Sequence, residues 1–234
     1  MNDFIWKSIG VLGGMGPEAT AAFYTRIIET CQRDYGAKYD SDFPPLFIYN
    51  CPLPNIVESN GEEDLVLEVL RNGVSKLINV GCDIISVPCN TVFKFIDTSD
   101  YDTQMLDIVE ETAKCIRYRG VRKIGLIATK NTVMGRLYEN KLEGIEVLQL
   151  SQESQNETND IIMRILSGRK NINDKKQLQN FIGELAGKGA EGVILGCTEL
   201  PLLISQNDSE ITVFDTIQIL AEATVKKRGG KSAI

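Results

Sequence analysis

The chain has 234 residues, 43% of them hydrophobic and 24% charged, enough to bury a substantial core, and its 25 basic and 32 acidic side chains leave a net charge of −7. That balance argues against nucleic acid or an anionic membrane surface as a partner, and no apolar run approaches transmembrane length. Histidine is absent, which removes Ser-His-Asp, Cys-His and histidine–metal chemistry together and leaves Cys, Asp, Glu, Lys or Tyr as acids and bases.

Six cysteines (Cys31, Cys51, Cys82, Cys89, Cys115, Cys197) are dispersed without a C-x-x-C pair. The spacing argues against a zinc site or a disulfide scaffold, so no metal is expected and a reducing cytoplasm fits best. Asp3 and Lys7 precede a short apolar run broken by glycines, so no signal peptide or anchor is expected.

Ser8 to Leu12 reads as a first strand, followed by the glycine loop Gly13-Gly14-Met15-Gly16 and a helix opened by Pro17, with Phe23, Ile27 and Cys31 as its buried stripe. Gly14-x-Gly16-x-x-Ala19 satisfies a loose dinucleotide fingerprint. The acidic residue that should end the next strand is missing, because Asn50 and Cys51 follow Leu46 to Tyr49, and NAD binding is therefore not expected. The loop either presents backbone N–H groups to a small anion or is simply a tight strand-to-helix turn.

Asn50 to Pro54 is a loop able to line a site, and Val66, Leu70, Val74 and Leu77 mark the next helix. It ends in Gly81 and leads into the apolar run Ile84 to Val87, then Pro88-Cys89-Asn90-Thr91. The polar stretch Asp97 to Thr103 is where a domain boundary is expected. Ile124-Gly125-Leu126-Ile127 then repeats Ile9-Gly10-Val11-Leu12, with Thr129 and Thr132 where the first half has its glycine loop; Thr132 is expected to act as a simple cap. A strand over Glu146 to Leu150, a helix around Ile161, Ile162 and Ile165, and an exposed loop from Gly168 to Asp174 follow. Leu178, Phe181, Ile182 and Leu185 mark a further helix ending in Gly189, and Gly192 to Leu195 then reaches Gly196-Cys197-Thr198-Glu199. Thr212 to Phe214 is a last strand and Asp215-Thr216 opens the last helix. The basic tail Lys226 to Lys231 is an ordinary helix ending.

The two cysteine segments share one layout: a helix ending in glycine, an acidic residue two on (Asp83, Glu191), a short apolar strand, then X-Cys-polar-polar. Parallel strands deliver functional groups at their carboxyl ends, so both thiols are expected where ligands bind. A single buried cysteine is usually a small hydrophobe. A repeated pair at two strand ends, each followed by helix-start residues whose dipole would stabilise a thiolate, points to function instead.

At these motifs the chain resembles the aspartate/glutamate racemase family of cofactor-independent amino-acid racemases. The matching segments are Ile9 to Thr20, Pro88-Cys89-Asn90-Thr91, Ile124 to Thr129 and Leu195-Gly196-Cys197-Thr198-Glu199-Leu200-Pro201. The resemblance implies an α/β fold of two similar, pseudo-twofold domains with parallel sheets, a cleft between them, no cofactor, an amino-acid substrate and a homodimer. It implies Cys89 and Cys197 as the acid/base pair of a two-base inversion at Cα. Asn90, Thr91, Thr129 and Thr198 would hold the α-carboxylate and ammonium, and Gly14 and Met15 would line the first wall. The expected domains are 1–100 plus 207–234, carrying Cys89, and 101–206, carrying Cys197.

The sequence also departs from the pattern. Histidines common in the family are replaced in Val92-Phe93 and Ile219-Leu220. The arginine and lysine of acid-selective members are absent from Pro54-Asn55-Ile56-Val57 and Leu166-Ser167-Gly168. The alternatives are another isomerase or a decarboxylase of small carboxylic acids, or a non-catalytic binder of small carboxylates.

Overall fold

A computed structural model describes residues 6–54, 57, 63–101 and 103–227. Asn55 and Ile56 of the expected specificity loop, Asp102 of the expected boundary, and the tail beyond 227 lie outside the described residues.

The first half runs β1 (Ile9–Gly13), α1 (Pro17–Tyr35), β2 (Leu46–Asn50), α2 (Glu63–Asn79), β3 (Ile84–Ser86), β4 (Gln104–Leu106) and α3 (Ile108–Tyr118). The second half repeats it as β5 (Lys123–Ile127), α4 (Lys130–Met134), β6 (Glu146–Gln149), α5 (Gln152–Leu166), α6 (Ile172–Gly187), β7 (Gly192–Leu195), β8 (Thr212–Asp215) and α7 (Thr216–Lys226). All ladders are parallel, and the sheets have the matching orders β2-β1-β3-β4 and β6-β5-β7-β8. This is the expected α/β class of two similar parallel sheets flanked by helices.

The repeated sequence signals have repeated physical jobs. Asp83 accepts the N–H of Ser8 at 2.7 Å, and Glu191 accepts those of Arg122 and Lys123, both at 3.1 Å. Each acidic residue thereby ties the approach to a cysteine strand onto the start of the central strand beside it. Gly10 and Gly125, second in the repeated strand motif, let the outer helices pack close: a Cβ would lie 3.3 Å from Leu77 of α2 and 2.8 Å from Leu185 of α6 respectively.

Each sheet buries its outer face under its own helices, α2 for the first and α5 with α6 for the second. The inner faces share a central core, in which Ile9, Val11 and Ile84 meet Ile124, Leu126 and Ile194 through α1, α3 and α7. The apolar stripe Phe23, Ile27 and Cys31 is buried there.

Sheet membership differs from the sequence expectation. Residues 104–106 pair with β3 and residues 212–215 with β7, so each strand lies in the sheet of the other expected domain. The final helix does sit with the first half: α7 packs on α1 and α3, and Thr224 Oγ1 hydrogen-bonds Ser86 Oγ of β3 at 2.7 Å. The expected loop 168–174 is also shorter. Asn171 caps α6, whose first turn buries Asp174 in a two-nitrogen hydrogen bond from Arg164 at 2.7 and 2.9 Å. Among the described residues no helix is long and apolar enough to cross a membrane.

Candidate active site

The strand ends of both sheets converge on one cavity of about 280 Å³. β3 delivers Cys89, Asn90 and Thr91, β7 delivers Cys197, Thr198 and Glu199, β1 supplies Gly14 to Pro17, and β5 supplies Thr129. Every expected site residue therefore lines the same space. Leu53 and Pro54 line it as the Asn50 to Pro54 loop was expected to, and Val57 of the following segment joins them.

The sequence reading did not single out Met163 and Leu166 of α5 as wall residues, nor Glu199 as more than a helix start. The three-residue spacing of Met163 and Leu166 puts them on one helical face, a usable signal, but nothing in the sequence says that this face meets the glycine loop. The meeting is close: a Cβ on Gly16 would lie 2.7 Å from Leu166 Cδ2 and 3.0 Å from Glu199 Oε1, so a larger residue would displace one or both side chains.

The glycine loop is largely satisfied internally. Gly14 N–H donates to Thr20 Oγ1 at 2.9 Å and Gly16 N–H to Glu199 Oε1 at 3.2 Å. Gly14 has φ of 91°, and a Cβ there would lie 2.7 Å from the Cys51 backbone.

On the opposite side, the hydroxyls of Thr91, Thr129 and Thr132 form a buried triangle with edges of 3.0 to 3.1 Å. Thr129, rather than Thr132, is the cap of α4, accepting the Thr132 N–H at 3.2 Å. The triangle joins the cysteine strand of the first half to the first helix of the second. The Asn90 side chain is committed, accepting from Tyr138 OH at 2.6 Å and donating to Thr216 Oγ1 at 3.4 Å.

Both thiols are buried, Cys89 at 5% and Cys197 at 7% exposure. Only single 3₁₀ turns follow them, Thr91–Lys94 and Leu200–Leu202, instead of the α-helices whose dipoles were expected to favour thiolates. Burial therefore dominates. It pushes the Cys89 thiol up to about 12, against the stabilising N–H groups of Val92 and Thr91. Cys197 is pushed well above its ordinary value by burial, then by the Glu199 carboxylate that accepts its S–H at 2.9 Å.

No arginine or lysine lines the cavity among the described residues. Arg164, beside Met163, is held by Asp174 and Glu157, and Lys170 is paired with Glu18. The described residues also contain no cluster of three or more His, Cys, Asp or Glu able to hold a metal ion.

Residues 12–224 match the family description Asp/Glu/Hydantoin racemase. The chain belongs to that family. It is 29% identical over 219 residues to a Bacillus subtilis (strain 168) protein named broad specificity amino-acid racemase RacX, across 93% of this chain and 96% of that one. The solved aspartate racemase of Picrophilus torridus superposes with a TM-score of 0.82 at 26% identity, over 95% of each chain. An aspartate racemase homologue from Pyrococcus horikoshii OT3 gives 0.77 at 33% identity, over 94% of this chain and 98% of that one. This family member is accordingly an isomerase of the amino-acid racemase type, acting on small amino-acid substrates.

Proposed function

We propose that the protein inverts the α-carbon of a free amino acid without a cofactor, with Cys89 and Cys197 exchanging the roles of base and acid. The observation that carries this reading is that the two thiols, from equivalent strand ends of the two halves, line one small cavity. One thiolate takes the α-hydrogen while the opposed thiol delivers its proton to the other face of the carbanion. The step moves one proton from substrate to sulfur and one from sulfur to substrate, leaving the pair charged as before but reversed.

The hydroxyls of Thr91, Thr129 and Thr198, with nearby backbone N–H groups including that of Asn90, hold the α-carboxylate and ammonium, and Gly14 and Met15 form one wall. A thiol pushed up to about 12 is a scarce thiolate at neutral pH. The incoming ammonium offsets this by its charge in a low-dielectric space. A pyridoxal-dependent route needs a lysine amine in the site, and no lysine lines this cavity among the described residues.

The substrate side chain is neutral in this reading. The wall it would meet is Met15, Leu53, Pro54, Val57, Met163 and Leu166, and residues 55–62 contain no lysine or arginine. A side-chain carboxylate buried there would lack a cation.

A homodimer in a reducing cytoplasm completes the proposal. It is supported by six free thiols and by Phe47 and Ile48, which are 44% and 45% exposed on the edge strand β2. Sedimentation at micromolar concentration tests the dimer.

The mechanism is tested with Cys89→Ala and Cys197→Ala in D2O. Each should lose racemisation in both directions yet retain slow α-hydrogen exchange, from opposite enantiomers and with retention of configuration. Racemisation surviving in either variant, or exchange from the same enantiomer in both, would sink the two-base assignment.

A further inference from the structure

Glu199 is a buried carboxyl group, 4% exposed, on which no cation acts among the described residues. Its Oε2 accepts the S–H of Cys197 at 2.9 Å and the O–H of Thr198 at 3.2 Å, and its Oε1 accepts the Gly16 N–H from the other half at 3.2 Å. The other titratable groups lining the cavity are the two thiols, and no cation lines it among the described residues. The thiols are thus in opposite surroundings. The Cys197 sulfur faces an acceptor, which suits a thiol, whereas the Cys89 sulfur faces the N–H groups of Thr91 and Val92, which suit a thiolate.

The geometry points to Glu199 as a positioning residue that holds Cys197 as a thiol and leaves Cys89 as the more readily ionised of the pair. This rests on the two-thiol reading above. The Gly16 bond fixes the carboxylate from the opposite half, so the orientation of Cys197 depends on a contact made between the two halves. Burial raises the Glu199 carboxyl above its usual range, against the hydrogen bond from Cys197, and a carboxylate at this distance disfavours a Cys197 thiolate by like charge.

The enantiomer whose hydrogen faces Cys89 then meets the more readily formed thiolate. The other needs the less readily formed thiolate of Cys197. Enantiomers have equal free energies in water, so kcat/KM must be the same in both directions, and the asymmetry appears as unequal kcat values matched by unequal KM values.

Iodoacetamide labelling mapped by mass spectrometry, with Cys115 as the more exposed internal reference, tests the arrangement without relying on turnover. In the wild type Cys89 should be labelled several-fold faster than Cys197. In Glu199→Gln the two rates should converge, and the kcat and KM ratios between the two directions should move toward unity. Glu199→Asp, which keeps the charge, should keep the order. Equal or faster labelling of Cys197 in the wild type, or an unchanged order in folded Glu199→Gln, overturns the proposal. If Glu199→Gln does not fold, the wild-type order decides alone. Wild-type protein that labels Cys89 first but racemises nothing would refute the proposed reaction and leave the Glu199 arrangement standing.

Discussion

Tyr138 donates its phenol hydrogen to Oδ1 of Asn90 at 2.6 Å, joining the turn after α4 to the residue that follows Cys89. Tyr138 is fully buried, and burial holds its phenol well above the usual range, so it is a neutral donor at every physiological pH. One hydrogen bond thus couples the placement of the first thiol to the second half of the chain.

Tyr138→Phe keeps the ring and deletes the donor, leaving Asn90 Oδ1 buried and unpaired. The expected loss is about 1–3 kcal/mol of folding stability, measured by urea denaturation, with a fall in kcat as Cys89 loses its fixed neighbour. Unchanged stability and kcat would show that the bond is incidental.

Thr129→Val removes both the cap of α4 and one vertex of the threonine triangle. A loss of about 1–2 kcal/mol is expected, together with a raised KM if the triangle holds the substrate carboxylate. Thr129→Ser, which keeps the hydroxyl, should restore most of both. A KM left unchanged by Thr129→Val would remove Thr129 from the substrate site.

Alkaline pH should weaken the fold. The native Cys89 thiol is pushed up to about 12 and the buried Cys31 thiol to about 11, both above the value near 9 that applies when they are unfolded. The unfolded chain therefore releases these protons first, so the stability they contribute is complete below about pH 9 and is lost as pH rises toward 11–12. Cys89 alone accounts for about 4 kcal/mol over that window. Urea midpoints that stay flat from pH 7 to pH 11 would contradict the burial of these thiols.

Side-chain preference follows from the apolar wall and its lack of cations. For methionine or leucine kcat/KM should exceed that for aspartate or glutamate by about tenfold or more, the effect of a 1.4 kcal/mol difference in transition-state binding. A panel in which only the acidic amino acids turn over would mean that a cation reaches the cavity on substrate binding.

Much of this architecture is legible in the chain itself. The central parallel strands are short, buried on both faces and therefore nearly continuous in apolar residues, so Ile9 to Leu12, Ile84 to Val87, Ile124 to Ile127 and Gly192 to Leu195 stand out. Placing a cysteine after two of them, in duplicated surroundings, also fixes where the thiols emerge, because strand ends in such sheets share one edge. The repetition of Asp83 and Glu191 is visible in the sequence too, but their partners are not, because Ser8 lies 75 positions from Asp83 and Arg122 lies 69 from Glu191.

What needed the tertiary structure depends on which distant surfaces meet. β4 is three residues long, too short for any periodicity, and only its ladder with β3 places it in the first sheet. The apolar face of Met163 and Leu166 is an ordinary helix stripe until it closes over Gly16. Glu199 reads as a polar residue at a helix start until Gly16, 183 positions away, donates to it. The thiols' ionisation was likewise decided in three dimensions: the local sequence suggested a helix dipole, but a single 3₁₀ turn is a weak one, and desolvation, which sums over every neighbour packed around the sulfur, outweighs it.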